Sequence, residues 1–189
     1  MKSKAAVISN VCNVLENKNI EEATLILNEN YKFESLNNAG RQYSELQKTK
    51  IFIRDGFIDR YSGEQLIFPP VLRILSKLMP DEFPFHKNWK MSECHNAYWQ
   101  LYPTIDHVLP VSRGGEDNES NWVCTSQLRN SAKSNWLLDE LGWYLYDAGD
   151  VNKWDGMLAW FMKYVNDNPT VIDDSYINKW YRAVVKIKL

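Results

Sequence analysis

The sequence predicts an α+β fold, in which a small ββα unit is embedded in a mainly α-helical single domain. Residues 104–136 read as a strand, a polar loop with paired glycines, a second strand and a helix. Before and after this segment, apolar residues recur at the spacing of amphipathic helices. A chain of 189 residues is long enough for one such domain with helical additions to its core.

The N-terminal part, residues 1–48, is expected to be a helical segment. One apolar stripe at helical spacing predicts a first helix over residues 5–15: Ile8, Val11, Cys12 and Leu15. Asn19 followed by Glu22 resembles a capping box that opens a second helix. The polar stretch 34–47 is expected to include a turn into a further helix. The two N-terminal helices carry no recognisable chemistry, which indicates packing or partner binding.

The middle of the chain, residues 49–136, is expected to form the core of the fold. Residues 49–57 are a candidate strand. A helical insertion is expected over residues 64–103, with one clear helix over residues 68–78. Residues 137–189 are expected to be a helical extension that packs on this core.

Composition restricts the classes of function. The chain is 44% hydrophobic with eight Trp, enough for a substantial core. A net charge of −2 gives no general attraction to nucleic acid, so binding to DNA has to come from a local basic face. No apolar run approaches a membrane span and no signal peptide is visible, so we expect a cytoplasmic protein. Three widely spaced cysteines indicate reduced, buried thiols.

The residue types of the ββα unit suit phosphodiester cleavage. Asp106 and His107 lie on the first strand, and Thr125 or Ser126 can cap a helix that carries Asn130. A hard divalent cation such as Mg²⁺ accepts one carboxylate and one amide oxygen while keeping several waters, so Asp106 and Asn130 are candidate ligands. His107, neutral near pH 7, can take the proton from an attacking water.

Two further points concern the geometry of this unit. Asn121, at the start of the second strand, is better placed to hold the loop near His107 than to touch substrate. Adjacent residues on a regular strand face opposite sides of the sheet. Asp106 and His107 can therefore serve one site only if the strand is bent or bulged between them.

The pattern resembles the HNH nuclease motif, the ββα-metal fold, in the variant whose signature positions here are His107, Asn121 and Asn130. It looks like the form found in the HNH domains of CRISPR effector nucleases, which also have Asp-His, then Asn, then a basic helix with Asn. This resemblance implies that His107 is the general base, that Asp106 and Asn130 bind the metal, and that Asn121 is structural. Residues 52–63, FIRDGFIDRYSG, resemble the first strand and first knuckle of many HNH proteins.

The sequence departs from the family at one place. Many HNH proteins carry a structural zinc held by two Cys-x-x-Cys knuckles, and Zn²⁺ in such sites needs about four ligands of this kind. The corresponding positions in this chain are Asp59, Ser62, Ser126 and Arg129. We therefore expect no structural zinc, and a scaffold held by an apolar core instead.

Candidate contacts to the nucleic acid are basic residues near the motif. Arg54 and Arg60 flank the first candidate strand, and either can bind a phosphate through two hydrogen bonds. Pairing with Asp55 or Asp59 is the alternative for both. Three more basic residues belong to the ββα unit and complete the expected contact set: Arg113, Arg129 and Lys133.

Together these observations predict a metal-dependent endonuclease that cuts DNA, with one Mg²⁺ or Mn²⁺ per site and 5′-phosphate and 3′-hydroxyl products. Restriction or another anti-phage defence is the expected setting, with a homodimer or a partner protein of such a system as the expected assembly. A DNA-binding or scaffold module without catalysis is one alternative. An RNase or toxin effector that uses the same site is another.

Overall fold

The computed structural model describes residues 3–33 and 42–187. The predicted α+β class is confirmed, because two short antiparallel strands and one following helix form a small ββα core among helices. The chain separates into two compact units, Met1–Asn38 and Ala39–Leu189. Within the described ranges, no helix is both long enough and apolar enough to cross a membrane.

The N-terminal unit is a pair of helices, α1 (Lys4–Glu16) and α2 (Ile20–Asn30), that contact each other. The capping prediction at Asn19 is confirmed: its side-chain oxygen accepts the Glu22 N–H. The predicted stripe of α1 is wrong in phase, because Val7 and Val11 are buried whereas Ile8, Cys12 and Leu15 are exposed. Exposure of Cys12 also corrects the expectation that all the cysteines are buried.

The second unit contains the remaining elements. Its helices are α3 (Glu45–Arg54), α4 (Pro69–Leu78), α5 (Ala97–Gln100), α6 (Gln127–Lys133), α7 (Leu138–Leu141), α8 (Leu158–Asp167) and α9 (Ser175–Val185). Its strands are β1 (Pro103–His107) and β2 (Trp122–Ser126). The expected boundary at residue 48 falls inside α3. The turn expected within residues 34–47 lies partly outside the described residues, which resume at residue 42.

The strand predicted over residues 49–57 is wrong, since most of this stretch belongs to helix α3. Ser44 and Gln47 form a capping box at the start of α3, and this local signal fixes the chain as helix. The β-branched Thr49 is accommodated because its hydroxyl donates to the carbonyl of Glu45 one turn earlier. Packing of Phe52 into the core outweighs the weak β-propensity of this stretch.

Aromatic side chains from α3, α8 and α9, from the turn after α3 and from the residue before α4 form the main core of the second unit. Phe68 lies edge-on to three rings, those of Phe57, Phe161 and Trp180, at centroid distances of 6.0, 5.3 and 5.4 Å. The sheet completes this core, because Ile105 and Cys124 form one of its pairs and both are buried. β1 and β2 are therefore fixed to the helical body along one face, and the other face is left for α6.

Candidate functional site

Helix α6 is attached to β1 through polar side chains. Ser126 caps the helix by accepting the Arg129 N–H at 3.1 Å, as predicted for this position. Asn130 then donates from Nδ2 to the Thr104 hydroxyl at 2.9 Å and to the Ile105 carbonyl at 3.3 Å. One turn later, the Lys133 ammonium reaches β1 as well. Two residues spaced three apart on one face of α6 thus set its position on the strand.

Asp106 is held at one of its two carboxylate oxygens. Oδ2 accepts the Tyr61 hydroxyl at 2.8 Å and the Lys133 ammonium at 2.9 Å. Burial, and then the neighbouring Asp106 carboxylate, raise the pKa of Tyr61 far above its ordinary value, so the phenol keeps the proton that it donates. Oδ1 of Asp106 makes no hydrogen bond to any described residue. The carboxylate is therefore oriented by two donors and keeps one oxygen for a ligand.

The side chain of Asn130 likewise has one atom bonded to the protein and one oxygen without a partner among the described residues. Its Nδ2 is used on β1, and its Oδ1 has no hydrogen-bond partner among residues 3–33 and 42–187. One carboxylate oxygen and one amide oxygen fit a hard cation that keeps most of its waters, such as Mg²⁺. In the described part of the chain, no three His, Cys, Asp or Glu side chains are grouped as a metal site. Because both candidate ligand atoms are oxygens, this pair suits Mg²⁺ or Mn²⁺ better than zinc.

His107 lies at the end of β1, and its ring is held from one side. Its Nε2 is 2.8 Å from Asp117 Oδ1, and the Trp122 indole nitrogen lies 3.0 Å from Nε2 and 3.1 Å from the same Asp117 oxygen. An ionised carboxylate accepts and cannot donate, so the proton between His107 and Asp117 belongs to Nε2. The indole N–H then donates to Asp117.

Asp117 was missed by sequence reasoning. The hydrogen bond from His107 is the largest effect on this carboxyl group and lowers the pKa of Asp117. His107 Nδ1 makes no hydrogen bond within the described residues, which leaves it as the nitrogen that can accept a proton. Asp117 is one of several acids in a polar loop, and no sequence signal distinguishes it from Glu116 or Glu119.

The loop that carries Asp117 is closed by Asn121. The Asn121 side chain accepts the Leu109 N–H at 2.9 Å and donates to the carbonyls of Leu109 and Glu116, both at 2.8 Å. A Cβ at Gly115 would lie 1.9 Å from the Leu109 carbonyl oxygen, so only glycine fits there. Asn121, one of the signature positions of the motif, therefore bonds to the loop backbone and holds the loop near His107.

The structure contradicts one of the five expected nucleic-acid contacts, Lys133, and shows Arg54 and Arg60 bonded to protein groups. Lys133 is fully buried, and its ammonium donates to the His107 carbonyl at 2.7 Å as well as to Asp106. Arg54 uses its guanidinium on Asp55 and on two backbone carbonyls of the β2 side. Arg60 also pairs with Asp55, at 3.2 Å, and its side chain is only 15% exposed. The alternative, pairing with Asp55, is the one observed for both arginines.

Arg113 and Arg129 are the other two expected contacts, and both are at least partly exposed. Arg113 forms an ion pair with Glu140 at 3.4 Å, in a partly exposed position. The guanidinium of Arg129 lies 5.0 Å from the centre of the Trp143 ring and forms no ion pair with a described residue. The guanidinium of Arg129 thus stacks on an aromatic ring and is not paired with a carboxylate of the described residues.

Asp59, at one of the four positions compared above with zinc ligands, is a buried carboxylate that accepts several hydrogen bonds. Asp59 Oδ1 accepts the Tyr61 N–H at 2.9 Å and the Thr125 hydroxyl at 2.8 Å, and Oδ2 accepts the Ser126 N–H at 3.0 Å. Asp59 is 1% exposed. The turn after α3 is therefore linked to the β2–α6 junction by a carboxylate network, in addition to the apolar core that was expected.

Comparisons with known proteins agree with this geometry. The family model described as HNH endonuclease matches residues 99–137. No curated protein and no solved structure matches the chain. The matched segment runs from within α5 to just beyond α6, and it includes Asp106, His107, Asn121 and Asn130. Residues 99–137 are thus similar to the HNH endonuclease family, and this matched segment contains the ββα core described above.

Proposed function

We propose that this chain is a metal-dependent endonuclease that hydrolyses DNA at a site formed by Asp106, His107 and Asn130. The observation that carries the proposal is the arrangement of unused atoms around β1. Asp106 and Asn130 are each fixed through one side-chain atom and retain one oxygen, and His107 is fixed through Nε2 and retains Nδ1. β1 pairs with β2 in regular register at both positions, Asp106 with Val123 and His107 with Trp122, so the bulge considered above is not present. His107 is the last residue of β1, and in the proposal Asp106 and Asn130 supply a cation half-shell and His107 a general base at this end of the strand.

In the proposed mechanism, each residue has one task. Asp106 and Asn130 would hold one Mg²⁺ or Mn²⁺, which when bound supplies charge stabilisation to the phosphate and to the leaving oxygen. His107 accepts the proton of the attacking water at Nδ1, while Asp117 holds the Nε2–H and so fixes the ring and its tautomer. Tyr61 and Lys133 keep the Asp106 carboxylate in place. The expected products carry a 5′-phosphate and a 3′-hydroxyl.

A plasmid-nicking assay tests the proposal. The wild-type chain should convert supercoiled DNA to open-circular or linear DNA with Mg²⁺ or Mn²⁺, and EDTA should stop the reaction. A chain that binds DNA without cutting it under any divalent cation would instead be a binding module. Faster cutting of RNA than of single- or double-stranded DNA would assign it to the RNase or toxin class. Restriction or anti-phage defence, with a homodimer or a partner protein, is the setting we propose.

Replacing Asn130 with alanine is expected to raise the Mg²⁺ concentration needed for half-maximal cleavage by about tenfold or more, because one of two protein ligands is lost. The variant also loses the Nδ2 hydrogen bonds to β1. Thr104→Val is the matched control, since it removes the 2.9 Å bond to Asn130 and leaves the amide oxygen. Equal Mg²⁺ titrations of Asn130→Ala and Thr104→Val would rule out a ligand role for Asn130.

Replacing Asp117 with alanine is expected to lower the cleavage rate constant by about 10- to 100-fold with little change in KM, because a carboxylate that orients a functional histidine has an effect of this order. Glu119→Ala is the control, since it removes another acid from the same loop and no side-chain contact to His107. Asp117→Asn should recover part of the loss, because its amide oxygen can still accept the Nε2–H. Equal rates for the two alanine variants would refute the role.

A further inference from the structure

A cavity of about 320 Å³ lies in the same unit as the Asp106–His107–Asn130 site. It is lined by five aromatic side chains and two cations, Arg73 and Lys87, and no carboxylate of the described residues lines it. Tyr102, in its wall, directly precedes β1. Asp106 is the fourth residue after Tyr102, and four steps of extended chain span roughly 13 Å between the two Cα atoms. The volume is at the small end of the range found for small-ligand sites.

Arg73 is the unusual residue of this cavity. Its guanidinium carbon lies 4.2 Å from the centre of the Phe85 ring, so one face of the group is stacked. Its Nε is buried and has no hydrogen-bond partner, and within residues 3–33 and 42–187 the guanidinium forms no ion pair. A buried N–H of a cation without a partner is costly, and stacking on a ring does not satisfy it. The unused N–H donors therefore indicate an anion from outside the chain.

The second cation supports this conclusion. Lys87 is exposed and forms no ion pair or hydrogen bond within the described residues. Two positive charges without a nearby carboxylate in the cavity wall favour a ligand group with one or two negative charges. A phosphate has this charge and accepts from both a guanidinium and an ammonium.

The aromatic wall indicates what accompanies the anion. Trp89 lies edge-on to Tyr102 at a centroid distance of 4.9 Å and edge-on to Phe85 at 6.3 Å, so these rings do not stack face to face with one another. Trp89 also has a φ of 53°, a left-handed conformation that is strained for a tryptophan. Such strain is retained where the surrounding structure requires the side chain in one place, and it is common at ligand sites. Flat aromatic ligands stack on rings presented in this way.

We propose that this cavity binds one nucleotide, with its phosphate on Arg73 and Lys87 and its base among the rings of Phe85, Trp89 and Tyr102. The nucleotide comes either from a nucleic-acid strand or from a free mononucleotide. The strand form rests on the proposed nuclease function, whereas the free form does not. Proximity to the start of β1 favours the strand form, since a nucleotide held there lies about 13 Å along the chain from Asp106.

Isothermal titration calorimetry of the full chain in EDTA tests the proposal without any dependence on cleavage. The probes are deoxyadenosine 5′-monophosphate, deoxyadenosine, inorganic phosphate and a single-stranded deoxyoligonucleotide. The monophosphate should bind at least tenfold more tightly than the nucleoside, because charge-assisted hydrogen bonds of this kind contribute on the order of 1.5–3 kcal/mol, which is about ten- to a hundredfold. Phosphate alone should bind weakly, because it lacks the base.

Three variants locate the binding. Arg73→Gln and Lys87→Gln should each weaken nucleotide binding, the first by about tenfold or more. Lys163→Gln, which removes an exposed lysine of α8 outside the cavity, should leave it unchanged. Lys87 is exposed, so its replacement tests the site even if Arg73→Gln lowers the stability of the fold.

The outcomes separate the two sources of the nucleotide and can refute the site. A strand-bound nucleotide is supported if the oligonucleotide binds more tightly than the mononucleotide and if this difference disappears in Lys87→Gln. Binding of the mononucleotide that the oligonucleotide does not displace supports a free one. The proposal is overturned if no nucleotide probe binds, or if the cavity variants and Lys163→Gln bind all probes alike. A chain that binds nucleotide here and yet cuts no nucleic acid would refute only the nuclease proposal.

Discussion

Replacing His107 with alanine is expected to slow DNA cleavage by about 10²- to 10⁴-fold, the usual contribution of a general base. The physical reason is that Nδ1 of this ring makes no hydrogen bond to a described residue, and the ring is held in place through Nε2 by Asp117. Single-turnover nicking of supercoiled plasmid with saturating Mg²⁺ measures the effect on the chemical step. Thermal unfolding followed by circular dichroism should show that the variant remains folded.

His107→Gln is the matched control for the loss of packing and of the Asp117 contact. Glutamine can donate an amide N–H to Asp117, but it cannot accept a proton from water near pH 7. Both variants should therefore be inactive, although only alanine leaves space beside Trp122. Added imidazole should restore part of the activity to His107→Ala. Cleavage at the wild-type rate by either variant would mean that another group removes the proton from water.

The ββα unit could be predicted because its signals are local. Ser126 caps α6 with its own hydroxyl, the two strands lie on either side of one loop, and Asn130 follows the cap at a fixed helical offset. Each of these features depends on residues within one short stretch of chain. The positions of Asp106 and Asn130 on β1 and α6 follow directly from that order.

The environment of His107 could not be predicted in the same way. Asp117 reaches His107 only because Asn121 and Gly115 fold the loop back towards Leu109, and neither sequence spacing nor charge indicates which acid of the loop arrives there. Lys133 was expected at the surface because lysine is rarely buried. It is buried because Asp106 and the His107 carbonyl together satisfy its ammonium, a compensation between two elements that no local pattern contains.

The prediction of a strand around Arg54 was wrong for a different reason. The resemblance of this stretch to the first strand of HNH proteins favoured a strand, and the observed element is helix α3. This error also affected the expected nucleic-acid contacts, because Arg54 at the end of this helix donates to the Trp122 carbonyl and to Asp55. An arginine expected to bind phosphate thereby becomes a structural link between α3 and β2.

Replacing Asp59 with alanine is expected to lower the free energy of unfolding by about 3–5 kcal/mol, a large part of the total stability of a domain. The carboxylate is buried and accepts from the Tyr61 N–H, the Thr125 hydroxyl and the Ser126 N–H. Alanine would leave these donors without a partner in a region closed to water. Urea unfolding followed by tryptophan fluorescence measures the change, with Glu64→Ala as a control that removes an exposed acid from the same turn.

The size of this effect follows from where Asp59 lies. It occupies the first of the zinc-ligand positions of knuckle-bearing HNH proteins and joins the same two segments, the turn after α3 and the junction of β2 with α6. A single carboxylate can make this link because its oxygens accept several hydrogen bonds, whereas thiolates need the metal between them. Asp59→Asn should cost less than Asp59→Ala, because its amide oxygen still accepts from Tyr61 and Thr125 while its NH₂ group faces the Ser126 N–H. Elemental analysis of the purified wild-type chain should find no stoichiometric zinc, and one tightly held zinc per chain would show that a metal, and not this carboxylate, joins the two segments.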